Sequence, residues 1–168
     1  MSPMFFSEIE AAKIAQNMEK NGIAFYEQAA AKTRNPRVRD LFLQLAEDEK
    51  KHLAAFEKLE ATLQSRPSAT SGNADDPELS AYIERLLKTQ VFGDSGDVAR
   101  QADQAKNDGE ALAVGMKAER DSIVFYQEMM DFVDTKEARE AFAWILKEER
   151  RHLSLLGERA ADGAGTTP

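Results

Sequence analysis

The sequence of this 168-residue chain repeats itself at an offset of 100 residues. When residues 14–61 are aligned without a gap on residues 114–161, ten positions are identical. The best-matched segments are 17–26 (NMEKNGIAFY) with 117–126 (KAERDSIVFY), and 47–53 (EDEKKHL) with 147–153 (KEERRHL). Self-similarity at a fixed offset indicates that one supersecondary unit is used twice.

The first unit is predicted to be a hairpin of two long helices, because its apolar residues recur at helical intervals. Ser7 and Glu10 form a capping box, which predicts a helix from residue 7 to about residue 33. Asn35 followed by Pro36 supplies a cap and a first helical residue, which predicts a second helix over 36–64.

The second unit is predicted to repeat this hairpin. Asp108 is the predicted cap of a third helix that ends near Phe132. Asp134 with Glu137 forms another capping box, which predicts a fourth helix from about Lys136 to Ala160. The residues after it, 162–168, are predicted to be a disordered tail.

The two hairpins, 7–64 and 108–160, need a long connection, and residues 65–107 supply it. This crossover begins with a linker at 65–75 and contains a short helix over 78–90, a glycine-rich break at 93–96 and a polar helical stretch over 97–106. A helix of about 27 residues is about 40 Å long, which such a connection can cross. We therefore predict an all-α fold, a four-helix bundle with one long crossover, in a single domain over 1–161.

Composition excludes several classes of function. The chain has no cysteine, which excludes disulfides, thiolate zinc sites, iron–sulfur centres and catalytic thiols. Its net charge of -8 argues against a nucleic-acid partner, because phosphates require a basic surface. The first residues lack the basic region of a secretory signal, and no apolar run is long enough to span a membrane. We expect a cytoplasmic protein with no membrane partner.

Four of the identical pairs carry side chains that are ionisable or can bind a metal: Glu19/Glu119, Tyr26/Tyr126, Glu49/Glu149 and His52/His152. A Glu and a His three residues apart lie on one helix face, one turn displaced, so both can bind the same ion. Four buried carboxylates would repel one another and destabilise the fold, whereas two divalent cations would neutralise them. Carboxylate with imidazole is a ligand set that suits iron, manganese or zinc.

On these residues the chain resembles the ferritin-like superfamily and, within it, the rubrerythrin-related di-iron carboxylate proteins, over about residues 7–160. The resemblance implies two iron ions held by one Glu from each of two helices and a Glu-x-x-His from each of the other two. It implies that Glu19 and Glu119 are terminal ligands, that Glu49 and Glu149 are bridging ligands, and that His52 and His152 are the nitrogen ligands. Tyr26 and Tyr126 match tyrosines that hydrogen-bond to ligands in this family, with plain core packing as the alternative.

The chain departs from the rubrerythrin pattern at two points. Rubrerythrins carry a rubredoxin-like domain with four cysteines, and this chain has none. They also carry an additional metal-site glutamate three residues after the third-helix ligand, and that position is Ser122 here. The first departure removes the built-in electron relay, and the second removes the ligand linked to redox-dependent iron movement.

The resemblance implies an oxidoreductase that reduces hydrogen peroxide or O₂ with electrons from an external donor protein such as a rubredoxin. It also implies a homodimer or a larger homo-oligomer. Three alternatives remain open: a ferroxidase that stores iron in a hollow assembly, a metal-binding protein whose ions serve only stability, and a di-iron hydroxylase with a substrate pocket. Manganese and zinc remain open as the native metal, because availability decides between metals at such sites.

The other conspicuous residues are assigned to packing or to solvent. The aromatic residues predicted to be core are Phe25, Phe42, Phe125, Phe142 and Trp144. Met129 and Met130 are assigned to the core or an interface. The pairs Lys50-Lys51 and Arg150-Arg151 are predicted to point outward. Glu47 and Glu148 are predicted to be exposed, with a role as an additional carboxylate near the metals as the alternative.

Overall fold

A computed structural model describes residues 6–66, 77–88 and 95–164. Within these ranges the chain forms six helices and no strand. The helices are α1 (Glu8–Lys32), α2 (Pro36–Gln64), α3 (Pro77–Lys88), α4 (Ser95–Gln104), α5 (Asp108–Phe132) and α6 (Lys136–Ala164). The predicted all-α fold is confirmed, and the repeat extends to the helix bounds, since α5 and α6 begin and end 100 residues after α1 and α2.

The helix starts of the first hairpin follow from its sequence. Ser7 accepts a hydrogen bond from the Glu10 backbone N–H, and the Glu10 carboxylate accepts from the Ser7 N–H, so the predicted capping box is present. The Asn35 side chain accepts from the Arg37 N–H, and Pro36 is the first helical residue of α2. These contacts satisfy N–H groups that have no partner within the helix.

Two predicted caps in the second hairpin are wrong by one residue. Asn107, not Asp108, caps α5 and accepts from the Glu110 N–H. Thr135, not Asp134, precedes α6 and accepts from the Ala138 N–H at 3.3 Å. In both cases two neighbouring residues can serve as caps, and the residue whose side chain accepts from the third N–H of the helix takes the position.

The crossover and the C-terminus differ from the predicted bounds in detail. Of the predicted linker only residues 65 and 66 are described, and of the predicted glycine break only residues 95 and 96, which begin α4. The final residues of the predicted short helix, 89 and 90, lie outside the described residues. Helix α6 continues to Ala164, so residues 162–164 of the predicted tail are helical, while 165–168 lie outside the described residues.

Contacts between the hairpins show how the four long helices run. At the start of α1, Glu8 accepts hydrogen bonds from the backbone N–H groups of Asp134 and Thr135 at 2.5 and 3.0 Å, just beyond the end of α5. At the end of α2, Arg66 pairs with Glu137 in the first turn of α6. Helix α1 is therefore antiparallel to α5, and α2 is antiparallel to α6. The end of α2 and the start of α5 consequently lie at opposite ends of the bundle, as the predicted crossover requires.

The bundle has an apolar core at each end and polar residues between them. One core lies where α1 begins and includes Phe56, Phe125 and Phe142, and the other lies where α1 ends and includes Phe25 and Phe42. The predicted burial of Phe25, Phe42, Phe125 and Phe142 is confirmed, and Met129 is also buried. Helix α4 covers the second core and is fixed by the Lys32 ammonium, which donates to the Ala105 carbonyl at 2.9 Å.

Trp144 is not a core residue, and its predicted burial is wrong. Its side chain is 42% exposed, because the buried stripe of α6 runs through Phe142, Ile145 and Glu149 and Trp144 lies to one side of it. In the part of the chain that the structure describes, no helix is both long and apolar enough to cross a membrane.

Candidate metal centre

Six carboxylate and imidazole side chains meet in the middle of the bundle, between the two apolar cores. Each is at most 4% exposed: Glu19 of α1, Glu49 and His52 of α2, Glu119 of α5, and Glu149 and His152 of α6. The four long helices place them there because each carries its ligand-type residues on the stripe that otherwise holds its core residues. All six predicted ligands are thus brought together in one buried cluster.

The cluster divides into two groups of four that share two members. Glu19, Glu49, His52 and Glu149 each offer a ligand atom within 4.8 Å of the others, and so do Glu49, Glu119, Glu149 and His152. Glu49 and Glu149 belong to both groups, while each of the other four belongs to one of these two. The cluster therefore contains two candidate ion positions, and Glu49 and Glu149 belong to both.

The two imidazoles direct their Nδ1 atoms at the carboxylates. His52 Nδ1 lies 3.3 Å from Glu19 Oε2 and from Glu49 Oε2, and 3.1 Å from Glu149 Oε1. His152 Nδ1 lies 3.3 Å from Glu49 Oε1 and 3.6 Å from Glu119 Oε1. The rings stack, with centroids 5.3 Å apart, so the histidines occupy the same side of the cluster, between α2 and α6.

The two predicted tyrosines form crossed hydrogen bonds between the hairpins. The Tyr26 hydroxyl of α1 donates to Glu119 of α5, and the Tyr126 hydroxyl of α5 donates to Glu19 of α1. Both tyrosines are at most 1% exposed, so each hydroxyl is paired with a carboxylate and not only packed in the core. Each bond holds an oxygen of a terminal glutamate in place and ties the two halves together.

Burial and crowding raise the pKa of the two shared carboxyl groups. Loss of water by burial is the main cause of the raised pKa of Glu49 and Glu149, and the charges of Glu19 and Glu119, respectively, raise it further. Burial also raises the pKa of Glu119, but hydrogen bonding with Glu149 and His152 outweighs it and lowers the pKa overall. Burial and crowding therefore favour the protonated form of Glu49 and Glu149, whereas the contacts of Glu119 favour its charged form.

The carboxylates also raise the pKa of both histidines. Burial alone would lower the pKa of His52, but contacts with Glu149, Glu19 and Glu49 raise it overall. Burial also opposes the charge of His152, and contact with Glu119 raises its pKa. In the metal-free protein the carboxylates therefore favour the protonated, positively charged form of both histidines.

Two properties of the cluster fit divalent metal ions: the types of its donor atoms, and buried donor atoms that lack a well-aligned hydrogen bond. His152 Nδ1 and Glu149 Oε1 are buried without a well-aligned hydrogen bond among the described residues, although Glu49 Oε1 lies 3.3 Å from the first atom and His52 Nδ1 lies 3.1 Å from the second. A cation between them would satisfy both atoms and displace the protons. Four carboxylates and two imidazoles form a donor set for iron, manganese or zinc.

Asp48 is a residue of this site that the sequence analysis did not single out. Its carboxylate is buried and lies 3.5 Å from His152 Nε2, on the side of the ring opposite the cluster. Lys51 and Arg151 each donate to it at 2.8 Å, and although its burial favours a higher pKa, these cations lower its pKa overall. The repeat carried a signal for this residue, because the matching position in the second half is also acidic, Glu148. In the structure Glu148 lies close enough to both imidazoles to bind a common ion with them.

Gly22 on α1 leaves room for Glu49. A Cβ atom at this position would lie 3.3 Å from Glu49 Cδ, closer than ordinary packing allows. The matching residue of the second half is Ser122, so the two halves of the centre differ at this position although their ligand types are the same.

A match to a known protein family includes the residues of this cluster. The family model described as rubrerythrin matches residues 6–60 and 84–159, which include all six residues of the cluster. Among solved structures, the fold is similar to that of a DUF305 fragment from Deinococcus radiodurans, with a TM-score of 0.68 and 11% sequence identity. That match covers 92% of this chain and 95% of the other, and at such identity it bears on the fold alone. No curated protein sequence shows significant similarity to this chain.

Proposed function

This chain belongs to the rubrerythrin family, and we propose that its central cluster holds two iron ions at which hydrogen peroxide is reduced to water. The proposal rests on Glu49 and Glu149, because each of them belongs to both buried groups of four ligand-type residues. A pair of carboxylates shared by two ion positions is an arrangement for two metals that act together, and it goes beyond what a single structural ion needs.

When bound, two iron ions supply the two electrons that cleave an O–O bond without releasing a radical. The four carboxylates would balance the charge of two divalent cations, and Glu49 and Glu149 would contribute to holding both. His52 and His152 would each provide one nitrogen ligand. The buried tyrosine hydroxyls hold Glu119 and Glu19 in orientation, which limits the rearrangement needed when charge changes.

The electrons must come from another molecule under this proposal. The chain contains no cysteine and therefore no rubredoxin-type iron site of its own. We propose an external electron-donor protein such as a rubredoxin, with peroxide as the first oxidant and O₂ as the second. The cytoplasmic location and the homo-oligomeric state expected from the sequence remain predictions.

Two surface cavities lie apart from the metal cluster. One, of about 320 Å³, is lined by residues at the end of α1 and around the start of α5, and another, of about 270 Å³, lies between the start of α2 and the end of α6. Neither of these two cavities is lined by a residue of the cluster, so neither brings an organic substrate to it.

The proposal is tested by loading the metal-free protein with two equivalents of ferrous iron without oxygen and adding hydrogen peroxide. Wild-type protein is expected to be oxidised faster than free ferrous iron, with two irons oxidised per peroxide. His52→Ala and His152→Ala should each lose one bound iron and this stoichiometry, by similar amounts because the two halves supply the same ligand types. A wild-type rate no higher than that of free iron would overturn the proposal, and elution as a large hollow assembly in gel filtration would favour iron storage.

A further inference from the structure

A third group of ligand-type side chains lies on the outer side of the two histidines. His52, His152 and Glu148 each offer a ligand atom within 4.8 Å of the others, and this group shares no carboxylate with the two groups inside the cluster. Glu148 lies on α6 one turn before His152, and its side chain is 24% exposed. The group therefore connects the buried histidines with solvent.

The nitrogen atoms on this side of the imidazoles are the Nε2 atoms. Both Nδ1 atoms face glutamates of the cluster, which leaves Nε2 of each ring on the other side. Both Nε2 atoms are buried without a well-aligned hydrogen bond in the part of the chain that the structure describes, and His52 and His152 are at most 1% exposed. Buried polar atoms of native proteins normally have a partner. Two such atoms beside one carboxylate indicate a position for a ligand that binds nitrogen and carboxylate together.

The guanidinium of Arg151 lies beside this position. Its Nη2 atom donates to Asp48 at 2.8 Å and to Glu148 at 3.2 Å, and Asp48 lies 3.5 Å from His152 Nε2. A positive group thus already sits between two carboxylates next to the imidazole. Arg151 is 44% exposed and can turn into solvent. Asp48 also accepts from Lys51, so the departure of Arg151 frees Glu148 and still leaves Asp48 paired.

We propose that His52, His152 and Glu148 form an outer position for a divalent cation, through which metal ions enter the central cluster, and that Arg151 closes this position in the metal-free protein. Two imidazole nitrogens and one carboxylate suit iron, zinc or manganese. Three protein ligands also leave an open coordination position from which the ion can move on. The inference rests on the part of the proposed function that places two ions in the cluster, and it gives those ions a route to their buried ligands.

The outer and central positions use different atoms of the same rings. A neutral imidazole has one nitrogen with a free lone pair, so a ring that binds an ion through Nδ1 does not bind a second ion through Nε2. The outer position is therefore occupied only while the central cluster is incompletely filled. It changes how fast ions enter and leave, and it does not change how tightly the filled centre holds them.

Uptake of cobalt by the metal-free protein tests the inference without iron or peroxide. Cobalt quenches tryptophan fluorescence, and Trp144, the only tryptophan of the chain, contacts His52 with ring centroids 5.4 Å apart. In Glu148→Gln uptake is expected to slow about tenfold or more, because the outer position loses one of its three ligands. Release to an excess of chelator should slow by the same factor, because the route in is also the route out. The equilibrium affinity should stay that of wild type.

Arg151→Gln should have the opposite effect and speed both uptake and release, because the outer position is then open. Two matched controls make the same changes of charge elsewhere on α6. Glu140→Gln alters a carboxylate that is 67% exposed beside Lys136, and Arg150→Gln alters the exposed neighbour of Arg151. Both controls should take up and release cobalt at wild-type rates.

Three results would overturn the inference. Wild-type rates in Glu148→Gln would show that ions do not pass this carboxylate, and wild-type rates in Arg151→Gln would show that the guanidinium closes nothing. Faster release with weaker equilibrium affinity in Glu148→Gln would make Glu148 a ligand of the filled centre itself. The proposed function fails separately, because its peroxide reaction starts from protein that already holds two irons and does not depend on how fast they entered.

Discussion

At the scale of single residues, burial and partners decide what each glutamate of this chain does. Glu8 is buried and fixes the turn between α5 and α6 by accepting three hydrogen bonds from Asp134 and Thr135. Glu47 is exposed and pairs with Lys50 on the helix surface, where an ion pair contributes little. Glu49, two residues later, is buried among other carboxylates and has no such cation. Of the three, only Glu49 lies among buried carboxylates whose mutual repulsion a metal ion would reduce.

Asp48 is expected to position His152. It lies 3.5 Å from His152 Nε2 and so favours a proton there, which leaves Nδ1 free to bind a metal. Asp48→Asn removes the negative charge that fixes this arrangement, and metal affinity should fall roughly 10- to 100-fold, as for other residues that orient ligating histidines. Competition between the protein and a chelator for cobalt or zinc measures the change.

The control for this variant is Glu47→Gln, which changes the adjacent carboxylate on the exposed side of α2. Its metal affinity should equal that of wild type. An Asp48→Asn protein that binds metal as tightly as Glu47→Gln would show that the contact with His152 has no part in binding. Thermal unfolding of both metal-free variants separates an effect on the ligand from a loss of fold.

At the scale of helices, the sequence predicted most of the structure because periodicity and caps are local properties. The 3.6-residue spacing placed Glu19, Glu49 and His52 on core-facing stripes without knowledge of the neighbours. Caps were less certain wherever two suitable residues adjoin, as with Asn107 beside Asp108, since the choice depends on backbone geometry. Trp144 was misassigned because hydrophobicity alone does not show which flank of a buried stripe is covered by another helix.

Glycines within helices allow a second prediction. Gly157→Ala places a methyl group no closer than 4.0 Å to Met116, so it should stabilise the protein by about 0.5–1 kcal/mol through the lower entropy of the unfolded chain. Gly22→Ala places the same group 3.3 Å from Glu49 Cδ. There the gain in helix propensity should be cancelled by crowding, and metal affinity should fall because Glu49 must move.

Thermal unfolding and metal titration of both variants check this prediction, with Gly157→Ala as the reference for an unhindered substitution. If Gly22→Ala raises the melting temperature as much as Gly157→Ala and leaves metal affinity unchanged, the space beside Glu49 is not needed for its position. A loss of affinity confined to Gly22→Ala would support the role assigned to the close approach.

At the scale of the whole molecule, the repeat becomes an approximate twofold symmetry that passes through the cluster. Tyr26 packs on Phe42 with centroids 6.0 Å apart, and Tyr126 packs on Phe142 at 5.9 Å. Yet the hydroxyls cross to the other hairpin, and no local pattern predicts that crossing. The sequence placed Tyr26 and Glu19 on one stripe of α1, but only the packing of α1 against α5 decides that Tyr26 binds Glu119.

Buried charge at the centre makes the stability of the metal-free protein depend on pH. Glu49 and Glu149 have raised pKa values in the folded state against a reference of 4.5, and His52 and His152 have raised values against 6.5. Above these reference values the folded protein retains protons that the unfolded chain has lost. Retaining these protons stabilises the folded protein at low pH. This contribution is lost as the pH rises through the pKa values of the groups in the folded state.

Between pH 5.5 and 8 the metal-free protein is therefore expected to become less stable, by about 1.4 kcal/mol per pH unit for each proton retained only by the folded state. Asp48 and Glu119 have lowered pKa values, so their contribution is already complete above about pH 5 and does not offset the trend. Metal binding displaces the retained protons, and the increase in melting temperature on adding zinc or ferrous iron should grow with pH. Thermal unfolding of metal-free and metal-loaded protein at pH 5.5, 6.5 and 7.5 measures both trends. A metal-free protein that gains stability over this range would mean that the carboxylates and imidazoles do not share one buried site.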